Sequence, residues 1–526
     1  MKRRQFLNAA TAIAAGGAFT ATQVQAQSED QADSESANSQ PDDAPEPAPT
    51  VFGFEEVAAL AAERSTRVYT QPVAEQVGSF SDLSYDRYRG IRFKRDANPL
   101  GDSSKFAMDL LPPGAIFYEP VKINLVRDGI PQELKFDPNL LEFDQSQFPD
   151  GVDLETVGDM GWSGFRLRTV LNRPGVMDEF LVFQGATYFR AVARGTLYGL
   201  SARGMAIKTG SPDGEEFPLF TDFWIHQPSE TSEWVRIHAI LDSKSTTAAF
   251  QFDVNPGAVT MIRVRTAIFP RVDLQNTGIA PLTSMFWFNP ASRRQVDDYR
   301  PAVHDSDGLQ MHTGGDLALW RTLGASKNLQ ISSFVDKNPI GFGLVQRHRE
   351  FIDYQDAEAR YHLRPSAWIQ PEGDWGEGEV RLIEIPVENE FNDNIVSYWL
   401  PKEPLARGTR HEFRYRLSFL TLPPNDLPLA KVRDVRSGRT VNVETTRTFI
   451  VDFDRALFTG DLPQSKVTTS SGNIVHAYLK PLPEQDVLRL GFEFEPGDAT
   501  MADLQAVLTN SEGVPLSETW LARWTA

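Results

Sequence analysis

Two clusters of carboxylates stand out by type and spacing. Asp305 and Asp307 sit in His304-Asp-Ser-Asp-Gly308, and Glu390 and Asp393 sit in Glu390-Phe-Asn-Asp-Asn394. On a strand or turn alternate residues point the same way, so Asp305 and Asp307 are able to share a face. Paired acids suit glycoside hydrolysis, in which one acid protonates the leaving oxygen and a second activates water or attacks carbon. A cation loop is a rival reading, since Asp-x-Asp-Gly resembles half of a calcium motif, but the remaining ligands of a helix-loop-helix site are missing. A turn in which the aspartates cap backbone N–H groups is a third. Around these acids crowd Trp287, Trp320, Tyr354, Tyr361, Trp368, Trp375, Tyr398 and Trp399, together with Arg347, Arg349 and Arg364. Flat rings suit a pyranose face and arginine forks suit hydroxyls or carboxylates. The same rings serve equally as core, and the same arginines as partners of Asp353, Asp356 and Glu358.

The elements that would hold these residues are strands. Ile91-Arg-Phe-Lys-Arg, Val121 to Val126, Gly164 to Val170, Trp234 to Leu241 and Val259 to Phe269 largely alternate with period two. Turn signals such as Asp128-Gly129, Asp150-Gly151 and Asn255-Pro256-Gly257 separate them. Many half-buried antiparallel strands are stable as two sheets face to face. The expected fold class is all-β: a large N-terminal β-sandwich and a smaller C-terminal immunoglobulin-like β-sandwich. The two prolines and glycine of Leu400 to Gly408 suggest the boundary. The large domain is then 51–400, the linker 401–408 and the second domain 409–526, with about seven short strands. Near the N-terminus, Phe52 to Glu63 carries Phe54, Val57, Leu60 and Ala61 at helical spacing, which predicts one helix packed on the large domain.

Composition narrows the function classes. The chain has 526 residues, with 71 acidic against 52 basic and a net charge of -19. Such a surface repels phosphate backbones, so nucleic acid is excluded as a partner. There is no cysteine, which removes disulfides and thiolate metal sites. No His-Glu-x-x-His, Gly-x-Ser-x-Gly or phosphate-cradling glycine loop occurs. Neither cofactor nor metal is expected. Arg3-Arg-Gln-Phe-Leu7, the apolar run Ala9 to Thr22 and Val24-Gln-Ala26 read as a twin-arginine signal peptide over 1–26, cleaved near Ala26. Residues 27–50 hold seven acidic residues, no basic ones and four prolines, which predicts a disordered acidic linker. No later segment reads as a membrane span, so the mature chain is expected in the periplasm without an integral membrane segment.

Several long runs make the chain recognisable. They include Leu83-Ser-Tyr-Asp-Arg-Tyr-Arg89, Gln184-Gly-Ala-Thr-Tyr-Phe-Arg190, Tyr198-Gly-Leu-Ser-Ala-Arg-Gly204, Ala280-Pro-Leu-Thr-Ser-Met-Phe286 and His304-Asp-Ser-Asp-Gly-Leu309. Gly341-Phe-Gly-Leu-Val-Gln-Arg347, Arg364-Pro-Ser-Ala-Trp368, Gly373-Asp-Trp-Gly376 and Asp393-Asn-Ile-Val396 continue the series. In these the chain resembles the periplasmic glucan biosynthesis proteins of the D and G type, and its twin-arginine signal favours the D type. The resemblance implies binding of the β-1,2-linked backbone of osmoregulated periplasmic glucans and inverting endo-β-1,2-glucanase chemistry. A non-catalytic glucan scaffold and a transglycosylase making cyclic glucan are the alternatives. By motif, Asp393 matches the general acid, Asp305 the general base, Glu390 a supporting carboxylate and Tyr361 a substrate-site tyrosine. Trp368, Trp375, Trp399, Arg347, Arg364 and Asp307 complete the expected substrate-side set, and a homodimer is a further expectation.

Overall fold

The computed structural model describes residues 52–526 apart from 74–79, 81–82, 156, 294–295, 424–426 and 459. The expected signal peptide and the whole of the expected acidic linker therefore lie outside the described residues. Two large sheets face each other, one of ten strands and one of fourteen. Alternation explains the facing. In Thr260–Pro270, Ile262, Val264 and Ile268 point into the core between the sheets, while Arg263 and Arg265 point away. A cluster of phenylalanines joins the layers. Phe183, from the ten-stranded sheet, lies 5.3 Å from Phe223 and 5.2 Å from Phe252 of the other, centroid to centroid. Such edge-to-face pairs add to plain area burial.

The C-terminal unit is a seven-stranded sandwich. Val432–Thr440, Val443–Asp454, Val487–Glu495 and Asn473–Leu482 form one sheet in that order. Gln464–Thr469, Met501–Thr509 and Thr519–Thr525 form the facing layer. Taken in chain order, this is the four-plus-three arrangement of an immunoglobulin constant-type domain. Trp520, Phe449 and Phe492 fill its core where that fold usually has a disulfide. The second layer is not closed off, because Thr519–Thr525 runs parallel beside Ala318–Thr322 and so extends the fourteen-stranded sheet.

One boundary differs from the sequence reading. His411–Leu420, placed there in the second domain, lies inside the large sheet between Thr260–Pro270 and Ser366–Glu372. The segment 401–408 therefore carries the chain from one large sheet to the other, and the change of unit comes after Leu420. Prolines and a glycine suit either connection.

The helix spans Phe54–Ser65 on the outer face of the large sheet. Glu56 reaches back to accept from the Gly53 N–H at 2.9 Å, closing its first turn. Phe54, Val57, Ala58 and Ala61 are buried, but Leu60 is not. Phe52 and Phe54 pack on His238, whose Nδ1 meets His226 Nε2 at 2.9 Å. Burial pushes both imidazoles down from 6.5 to about 4, with Arg236 adding to it and nearby Asp253 opposing. Between those values the unfolded chain binds protons that the folded chain refuses, so stability falls as pH drops through that window. The unfolding midpoint of the parent should fall further between pH 6.5 and 4 than that of a His226→Gln/His238→Gln variant. Parallel curves would remove the pair from the acid response.

Candidate functional site

The strand Thr277–Ser284 runs through the middle of the ten-stranded sheet, and its end organises the acids. Asn394 donates its backbone N–H to Ser284 O at 3.0 Å, while Asp305 donates to Met285 O at 2.8 Å. Successive carbonyls of an extended chain point to opposite sides. Asp305 and Asp393 thus flank the same strand end. The Asn394 side chain clasps the next residue, accepting from Phe286 N at 2.8 Å and donating to Phe286 O at 2.9 Å. Ser284 Oγ and Ser306 Oγ, 2.9 Å apart, tie the two segments together from within.

Arginines surround the acids. Arg190 donates from Nη2 to Asp393 Oδ2 at 3.3 Å and is steadied by its Nε bond to Ser201 Oγ at 2.6 Å. Arg364 holds its Nε 3.8 Å from Asp305 Oδ1. Its other nitrogens are used on the carbonyls of Tyr198 and Ala359. Glu390 Oε2 accepts from Tyr361 Oη at 3.1 Å and pairs with Arg300 Nη1 at 2.8 Å. Arg300 also binds Asp298 and Asp356, each at 2.8 Å. Burial works against its charge, but these three carboxylates hold its pKa well above the ordinary arginine value. The turn Tyr361–Leu363 is entered through Arg360 in the left-handed region, at φ 50°. That turn delivers Tyr361 toward Glu390 and Arg364 toward Asp305. Asp393 and Glu390 keep part of their side chains in solvent, whereas Asp305 is 2% exposed.

Four residues read from sequence are thus linked in series, Asp305 to Arg364, Arg364 to the Tyr361 ring and Tyr361 to Glu390, and Asp393 lies at the same strand end. Others go elsewhere, each for a definite reason. Asp307 accepts from His348 N and Nδ1, at 3.0 and 2.8 Å, and sits 3.4 Å from His304 Nε2. Burial would raise its pKa, but the two imidazoles pull it far below the usual carboxylate range. His348 also faces Asp434 of the C-terminal unit at 3.3 Å. Although burial disfavours its charge, Asp307 and Asp434 hold its pKa well above 6.5. Asp307 is thus part of an ion-paired bridge between the units rather than a sugar contact. Arg347 likewise forks onto Glu518 of the C-terminal unit, with both bonds 2.8 Å, and its guanidinium lies 3.6 Å from the Trp320 ring centre.

The three tryptophans are packing residues. Trp368 is 4% exposed and covers Gly341 so closely that a Cβ there would strike the ring. Trp375 donates its indole N–H to Arg414 O at 3.2 Å and packs edge-on against Phe413 and Tyr415. Trp399 is wholly buried over Gly378. None presents a face to a ligand. Two contributors had not been singled out, Arg190 and Arg300. Arg190 closes the motif Gln184 to Arg190, which was a signal, whereas nothing around Arg300 pointed to Glu390.

The architecture is that of a two-unit, all-β sandwich protein with a cluster of acids and arginines at the end of a central strand. The family described as "Periplasmic glucan biosynthesis protein, MdoG" matches residues 52–524, and the chain belongs to it. Among its relatives is the glucans biosynthesis protein G of Vibrio cholerae, 42% identical over 481 residues, covering 90% of this chain and 87% of that one. Glucans biosynthesis protein G 1 of Shewanella oneidensis is 41% identical over 486 residues, with the same coverage of 90% and 87%. The family is one of the periplasm by its description. Among the described residues no helix is long and apolar enough to cross a membrane.

Proposed function

We propose that the protein binds the β-1,2-linked glucan backbone at this cluster and cuts it with inversion, as an endo-acting hydrolase. Asp393 gives its proton to the glycosidic oxygen as the C1–O bond breaks. Asp305 takes a proton from the water that attacks C1 from the opposite face. Glu390, fixed by Arg300, and Tyr361 orient the sugar beside the acid. The observation that carries this reading is the attachment of the two acid-bearing segments to consecutive carbonyls, Ser284 and Met285. Segments flanking one strand lie about two strand spacings apart, roughly 10 Å. That suits the separation of about 6.5–9.5 Å at which an inverting pair leaves room for water. Phe391, exposed between the two loop acids, and half-buried Trp287 are the aromatic surfaces offered to the chain. We place the mature protein in the periplasm, exported by the twin-arginine route.

The test is incubation of the pure protein with linear β-1,2-glucan, with product sizes and the first-formed anomer followed by NMR. Short linear products appearing first as the α-anomer support the assignment. β-anomers would overturn inversion, rings would make the protein a transferase, and an unshortened bound polymer would make it a scaffold.

A further inference from the structure

A cavity of about 840 Å³ lies at the junction of the two units and not at the paired acids. Its size is within the range of small-ligand sites, about 300–1,000 Å³. One wall comes from the loop carrying Ser326 and Lys327 and from Gln330, the other from Gly438, Arg439, Arg447 and Trp524. The single acidic side chain on the lining, Glu384, is already committed. It accepts from Arg321 and from Gly324 N, both at 2.8 Å. Among the described residues no carboxylate pairs with Lys327 or Arg439, and both are exposed at the rim. Lys327 and Arg439 thus place two cationic side chains at the rim of this cavity, in a chain whose net charge is -19.

Cationic forks recognise carboxylates and phosphates. Hydroxyl and amide groups such as Ser326 and Gln330 suit sugar hydroxyls, and a tryptophan at the wall suits a sugar face. We infer that this junction cavity is a second binding site, selective for a sugar that carries a negative charge as a phosphate ester or a carboxylate. It is independent of the acids at the strand end and of any hydrolysis there.

Gly438 supplies a clean test. It lies in a strand with no positive φ, and a Cβ built on it meets nothing within 4 Å. Gly438→Phe should therefore fill the cavity without unfolding the domain. Lys327→Glu/Arg439→Glu reverses the charge at exposed positions. The full mature chain would be titrated calorimetrically with glucose 6-phosphate, glucuronate, glucose and inorganic phosphate. At least one of the two charged sugars should bind at least about tenfold more tightly than glucose or phosphate, a difference of ~1.4 kcal/mol. Both variants should weaken that binding by a similar factor while melting cooperatively. Whichever charged sugar binds better names the source of the charge. No binding by either, equal binding of glucose, equal binding of inorganic phosphate, or affinity unchanged in both variants would overturn the inference.

Discussion

Asp393→Asn is expected to lower the rate of β-1,2-glucan cleavage by about 10²–10⁴-fold, the usual worth of a positioned general acid. The substitution is almost isosteric, and the amide oxygen can still accept from Arg190, now 3.3 Å away. The side chain is part exposed, so the unfolding midpoint should hardly move. Glucan should still bind, since Tyr361, Glu390 and Arg364 are untouched. Asp305→Asn makes a less clean comparison. Asp305 is buried beside Arg364, and neutralising it leaves an arginine without its nearest charge partner. A parent that cleaves, paired with an Asp393→Asn variant that cleaves equally fast, would remove Asp393 from the chemistry. Unchanged glucan binding by both, with no cleavage by either, is the signature of the scaffold.

Arg347→Met should have the largest effect on stability. The guanidinium is 9% exposed and its partner Glu518 is 4% exposed. It also binds Val432 O at 2.6 Å and Gln310 Oε1 at 2.9 Å, which join the two units. Removing one partner of a buried pair strands the other, at about 3–5 kcal/mol. Denaturant unfolding should show a midpoint lowered accordingly. A double variant, Arg347→Met/Glu518→Met, should recover part of the loss, because no orphaned carboxylate is left. If Arg347 instead served the sugar, the single variant would lose glucan binding with its midpoint unchanged.

Much of the architecture was legible because burial is written in residue order. Period-two alternation marked strands such as Thr260–Pro270, and helical spacing marked Phe54–Ser65. Leu60 shows the limit, since a stripe of apolar residues does not say which member lies at its edge. The acids and their tyrosine were singled out through motifs, not spacing alone, for too many carboxylates share this region. The tryptophans were misread because residue type tells ring chemistry but not which face a strand turns outward. Arg347 was misread because Glu518 is 171 residues away in the chain. The break at 401–408 failed for a related reason. Local composition signals a crossing between layers, and only strand pairing reveals whether the far side is a new unit.

The parallel pairing of Thr519–Thr525 with Ala318–Thr322, like the insertion of His411–Leu420 into the large sheet, has a kinetic meaning. The N-terminal unit does not own all its strands. Until residues beyond 410 leave the ribosome, Thr260–Pro270 and Ser366–Glu372 present bare edges to each other and to neighbouring chains, and unpaired edges invite aggregation. Contacts between strands so far apart in sequence also close slowly. The nascent chain is therefore vulnerable until His411–Leu420 fills that gap, and Thr519–Thr525 later covers the edge of Ala318–Thr322.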